Sequence, residues 1–151
     1  KFSPNTSVIS IDVSNDALAV ARKNLDRNNL SNVSLVNANV FDDFLPGQTF
    51  DIIVSNPPYV SMEEFPALQP EVRDFEPRIA TTDEADGFTF IRRISELAIQ
   101  KLGVNGFLLM EIAYNQSDTS KEIVKNAGLN DVEVFADYAG HARIISARKH
   151  G

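Results

Sequence analysis

With 151 residues, 43% of them hydrophobic, the chain is long enough for one ordinary domain with a substantial core, and a single domain over 1–151 is expected. It has no cysteine, which excludes disulfides and thiolate metal sites, and no apolar run nears membrane-spanning length, so a soluble cytoplasmic protein is expected. A net charge of −7 argues against a large nucleic-acid footprint, which needs a Lys/Arg-rich face to neutralise phosphates.

The amino end, Lys1-Phe2-Ser3-Pro4-Asn5, lacks a signal-peptide core, and its Lys in place of Met suggests a piece of a longer protein or a processed form. Val8 to Val13 then reads as a strand. Ser14, Asn15 and Asp16 suit a helix start, and the helix is predicted to run to about Asn28, with Ala17, Leu18, Ala21 and Leu25 facing a sheet. Asp12, at the end of the strand, is placed to accept hydrogen bonds from the ribose hydroxyls of a nucleoside, the competing reading being a cap or a solvated charge. Val33 to Val36 is a short strand leading to the turn 37–43, where Asn39 can meet a base edge and Val40 its face, unless this is a plain polar loop. Pro46-Gly47 makes a turn.

Phe50 to Ser55 reads as a buried strand that stops at Asn56-Pro57-Pro58-Tyr59. Two prolines have fixed φ and no N–H, and Pro57 pushes Asn56 out of helical dihedrals, so this loop is stiff before any ligand arrives. Asn56 presents an amide at the carboxyl end of a strand expected to be parallel, where open α/β sheets bind ligands. Its side-chain oxygen and the Pro57 carbonyl can accept both N–H bonds of a planar NH2 group, with Tyr59 as a flat wall.

Residues 60–86 are irregular, with Pro66, Pro70 and Pro77; Phe65, Leu68, Val72 and Phe75 are apolar enough to fold down, with a short helical turn, as a substrate-facing lid, the competing reading being an ordinary surface loop. Phe88 to Leu102 reads as a packing helix ended by Gly103, and Gly106 to Ile112 as a buried strand. Ser117 or Asp118 caps a further helix that Gly128 ends, and two terminal strands, Val132 to Phe135 and Arg143 to Ala147, are joined through 137–141. His141 and His150 have no partner at metal-ligand spacing, so no metal site is expected.

Asn56-Pro57-Pro58-Tyr59 resembles the signature of amino-group methyltransferases that use S-adenosylmethionine. The order of elements from Val8 to Ala147 resembles the HemK/PrmC family, which methylates a glutamine of peptide chain release factors. Phe75-Glu76-Pro77-Arg78, Asp86-Gly87, Glu111-Ile112-Ala113-Tyr114-Asn115-Gln116 and the run from Asp137 to Arg143 are its more specific pieces. The resemblance implies an α/β, Rossmann-like class I methyltransferase sheet and N5-methylation of the glutamine in a Gly-Gly-Gln loop. It places Asn56 and Pro57 at the amide hydrogens as the catalytic pair and Pro58 and Tyr59 at the substrate. Asp12 falls at the cofactor ribose, Asn39 and Val40 at its adenine, and Asn56 at its methionine end.

The chain departs from the family where Asn39-Val40-Phe41 stands for Asp-Trp before a Phe, and no Gly-rich strand-turn-helix precedes Asp12. Against a family sheet ordered 3-2-1-4-5-7-6, strand 1 is missing, which implies a truncated carboxyl-terminal part of the catalytic domain. The fragment alone is expected to be inactive and to bind cofactor weakly or not at all, and the open strand edges beside the gap leave it prone to self-association. Two alternatives stay open: an amino-group methyltransferase acting on adenine or guanine in nucleic acid, and a non-catalytic α/β interaction domain.

Overall fold

Short strands and amphipathic helices follow one another from Val8 onward, and their apolar faces need one another to leave water. The structure, a computed structural model, describes residues 5–151, so most of the amino end from Lys1 to Asn5 lies outside the described residues. The chain divides into two compact units, Lys1–Pro46 and Gly47–Gly151.

In the first unit, β1 (Val8–Asp12) pairs in parallel with β2 (Val33–Asn37), in register from Val8 opposite Val33 to Asp12 opposite Asn37. The crossover between them is α1 (Asn15–Asn28). Ser14 starts it in an extended conformation, its side chain accepting from the Ala17 N–H at 3.2 Å, a cap worth about 1 kcal/mol. Asn29 ends it in the left-handed region at φ 53°, one of the few conformations that Asn tolerates and β-branched residues do not. Leu25 is buried and Leu18 and Ala21 half-buried, as the helical spacing predicts; Ala17 is exposed instead.

The second unit carries a four-stranded sheet ordered β3-β4-β6-β5, formed by β3 (Phe50–Ser55), β4 (Leu102–Glu111), β5 (Asn130–Ala136) and β6 (Ala142–Arg148). β3 and β4 are parallel, whereas β6 runs antiparallel to both its neighbours. This matches the 4-5-7-6 part of the expected order. Four helices belong to this unit: α2 (Pro70–Arg73), α3 (Arg78–Thr81), α4 (Thr89–Lys101) and α5 (Ser117–Asn126). The core gathers Ile91, Ile94 and Ala98 of α4, Val124 of α5, Leu108 and Met110 of β4 and Ile145 of β6. Both long helices therefore cover one face of the sheet.

Four expectations need correction. β3 is a strand but not a buried one, with Ile52 56% and Val54 74% exposed, because among the described residues it has a ladder partner on one side only. α4 ends at Lys101, and the next strand begins at Leu102 rather than Gly106; the two glycines lie inside β4, where the register against β3 shifts between Phe50 and Ile52. A Cβ on Gly106 would stand 3.1 Å from the Asp51 carbonyl oxygen, which is why the irregular stretch carries glycine. α5 starts after Gln116, not Ser117 or Asp118, and Gln116 makes no side-chain cap bond to its own helix.

In residues 60–86 the expected helical turn is present as a 3-10 turn over Phe65–Ala67 followed by α2 and α3, and the fourth correction concerns Phe75 alone. Phe65, Leu68 and Val72 are half-buried as a cover requires, but Phe75 is 84% exposed. No helix among the described residues is long and apolar enough to cross a membrane.

Candidate active site

β3 delivers the chain to Asn56, and the two prolines that follow prevent it from continuing as a strand. Asn56 is exposed, Pro57 buried, and Pro58 and Tyr59 half-buried. Among the described residues, neither the Asn56 side-chain amide nor the Pro57 carbonyl takes part in a hydrogen bond. Two unengaged acceptors on adjacent residues, on a backbone with little freedom, are suited to the two N–H bonds of one planar NH2 group.

The parallel ladder sets Ser55 opposite Met110, so the ends of β3 and β4 lie side by side. Glu111, the last residue of β4, accepts a 3.0 Å hydrogen bond from the Tyr59 hydroxyl. Burial, and then the bond and negative charge of Glu111, raise the Tyr59 pKa; Arg143, whose charge acts the other way, only partly offsets this. The phenol is therefore a neutral donor at ordinary pH and fixes the ring's orientation. Arg143 is itself held by Asp137, at 3.5 Å from Nε to Oδ2.

Beyond Tyr59 the chain is stitched to residues 81–87. The Val60 N–H donates to the Thr81 carbonyl at 3.1 Å and the Met62 N–H to the Ala85 carbonyl at 2.9 Å. Asp83 organises that segment: its carboxylate accepts from the N–H groups of Ala85, Gly87 and Thr89 at 2.9 to 3.0 Å. Partial burial opposes the charge, but these bonds, with one from the Thr89 side chain, win and hold the Asp83 pKa below the usual carboxylate range. Arg78, from the Phe-Glu-Pro-Arg stretch, pairs with Glu84 at 3.0 Å and lies over the Phe65 ring at 4.7 Å.

An open hollow of about 520 Å³ lies beside this stitching, lined among others by Ser61, Glu63, Glu64, Asp86 and Asn115. Two of its acids are engaged: Glu64 accepts from Asn115 at 2.9 Å and Ser61 at 3.0 Å, and Asp86 pairs with Arg92. Neither Asn56 nor Tyr59 lines it.

The first unit holds the remaining predicted residues. Asp12 ends β1, exposed, and its Oδ1 accepts from the Ser14 N–H at 2.8 Å. Its carbonyl accepts from the Ala38 N–H and from the Asn37 side chain, both at 3.2 Å, which draws the turn after β2 to the end of β1. Asn39 follows directly, exposed, its Oδ1 taken by the Phe41 N–H at 3.0 Å, while Val40 is half-buried. Oδ2 of Asp12 and Nδ2 of Asn39 keep no bond to a described residue. An acceptor for a diol, an amide donor and an apolar side chain at one end of a parallel pair fit a nucleoside.

Each unit thus brings its own predicted residues together: Asp12, Asn39 and Val40 in one, Asn56 to Tyr59 in the other. Sequence reasoning missed Asn37, Asp83 and the separate roles of Glu111 and Gln116. The last two lay inside a motif already singled out, but nothing local says that they reach back more than fifty residues to Tyr59.

The chain is also similar to known proteins. Residues 1–69 match the Methyltransferase small domain family. The chain is 37% identical over 145 residues to a release factor glutamine methyltransferase of Fusobacterium nucleatum, covering 96% of this chain and 41% of that one. It is 38% identical over 151 residues to one of Rhodopirellula baltica, covering 99% and 51%. The chain therefore spans about half the length of the curated relatives it matches. Among solved structures, a methyltransferase from Pyrococcus furiosus superposes with a TM-score of 0.69 at 22% identity, over 99% of this chain and 68% of that one.

Proposed function

We propose that the protein to which this chain belongs methylates the side-chain amide nitrogen of a glutamine, with S-adenosylmethionine as donor, a reading supported by the chain's similarity to release factor glutamine methyltransferases and by its methyltransferase fold. The acceptor is the glutamine of the Gly-Gly-Gln motif of a peptide chain release factor. The observation that carries this reading is the pair of unengaged acceptors, the Asn56 side-chain oxygen and the Pro57 carbonyl, on a proline-locked loop at the end of β3.

An amide nitrogen is a poor nucleophile because its lone pair is delocalised, so orientation must supply much of the rate. Asn56 and Pro57 accept the two N–H bonds, which aims the nitrogen and increases its electron density. Pro58 keeps the loop extended, and the Tyr59 ring, held by Glu111, offers an apolar wall to the amide plane. When bound, S-adenosylmethionine supplies a methyl group made electrophilic by a positively charged sulfur. Asp12 would hold its ribose, and Asn39 and Val40 its adenine. The proton leaving the methylated nitrogen goes to water, so the site needs no strong base.

The test supplies the full-length protein with methyl-labelled cofactor and either release factor or nucleic acid. Label in the release factor glutamine is the expected result. Label entering only nucleic acid would favour a nucleobase acceptor.

A further inference from the structure

Gln116 is 4% exposed and sits where α5 begins, a position that usually holds a short side chain capping its own helix. Its amide is turned elsewhere. Oε1 accepts from the Ala113 N–H at 3.0 Å, and Nε2 donates to the Tyr59 carbonyl at 2.9 Å and to the Gly87 carbonyl at 3.2 Å. The orientation is forced, because two carbonyls converge on one end and an N–H on the other, and only an amide has that polarity over that length.

Three segments far apart in sequence meet at this group: the end of the Asn56–Tyr59 loop, the turn organised by Asp83, and the connection from β4 to α5. The approach is close. A Cβ on Gly87 would stand 2.7 Å from the Tyr59 oxygen and 2.8 Å from Gln116 Nε2, and Gly87 has φ +85°, so glycine is required there twice over. A hydrophobic side chain of similar size would fill the space but leave both carbonyls without a donor.

We propose that Gln116 is a positioning residue for methyl transfer: it fixes the plane of the peptide after Tyr59, and through the two prolines the place at which Asn56 and Pro57 present their oxygens. The catalytic part of this assignment rests on glutamine-amide methylation as the reaction, whereas the loop-fixing part does not. Gln116 touches neither acceptor nor cofactor in this scheme. Its loss therefore acts chiefly on the rate of transfer, because the nucleoside part of the cofactor is assigned to Asp12, Asn39 and Val40, which Gln116 does not touch.

The experiment compares wild type with Gln116→Met, and with Gln116→Glu as a second variant of the same shape, in two measurements. Amide hydrogen exchange should rise about tenfold or more over 59–62 and 83–87 while Leu108 to Ile112 stays protected, as expected for a local opening. In the full-length protein, kcat for release factor should fall by about 10²-fold, with KM for the cofactor unchanged within about twofold, the size expected for a misplaced reacting group. Loop protection equal to wild type in both variants, or a uniform rise in exchange across the domain, would overturn the proposal. If wild type transfers no methyl to glutamine while the variants still loosen only the loop, the substrate reading fails and the loop-fixing role of Gln116 stands.

Discussion

The hydroxyl of Tyr59 donates to Oε1 of Glu111 across 3.0 Å, joining the end of the Asn-Pro-Pro-Tyr loop to the end of the neighbouring strand. Two motifs separated by about fifty residues in sequence become one object through this bond, because the parallel ladder of β3 and β4 brings both strand ends to the same edge.

Glu111→Gln keeps the bond's shape but removes a negative charge. The Tyr59 pKa, raised first by burial and then by Glu111, should drop toward its ordinary value of about 10. Ultraviolet titration of tyrosinate, with Tyr59→Phe as the subtraction standard, measures this. A raised folded pKa contributes stability that is complete below about pH 10 and is lost as pH rises through the folded pKa. Alkaline unfolding of wild type should therefore begin in that window and be less steep in Tyr59→Phe.

Asp83 carries the opposite sign. Its pKa is depressed, so its contribution to stability is present above the unfolded value of about 3.9 and is lost as pH falls through the folded one. Asp83→Ala removes a charged acceptor from three backbone N–H groups and should cost about 2 kcal/mol in denaturant unfolding at neutral pH. The gap between variant and wild type should shrink in acid.

Leu108 is completely buried in the centre of β4 and belongs to the core shared with α4 and α5. Leu108→Ala should cost about 3 kcal/mol, within the range for large-to-small changes in a well-packed core. Val54→Ala, on the open face of β3, should change stability by less than about 0.5 kcal/mol in the same assay.

Much of this fold can be read from the chain because its signals are local. The spacing of Leu18, Ala21 and Leu25, the capping Ser14, and the apolar runs at Val8, Val33 and Phe50 mark their elements within a residue or two. Boundaries fail where a tertiary contact decides them. Leu102 joins a strand instead of a helix because it pairs with Phe50, and Gln116 stands just ahead of α5 without capping it, its amide bonded to the Tyr59 carbonyl instead. Of the site, the prolines announce the stiff loop, and Asp12 and Asn39 announce a polar strand end. The supports, Glu111, Gln116 and Asp83, act over contacts that no periodicity encodes.

The most direct measurement is the initial rate of methyl transfer to release factor glutamine by the full-length protein carrying Asn56→Ala, beside wild type. Loss of one acceptor from the reacting amide should lower kcat by about 10²-fold, comparable to removing a single preorganised hydrogen-bonding group from an active site. A rate equal to wild type would contradict the account.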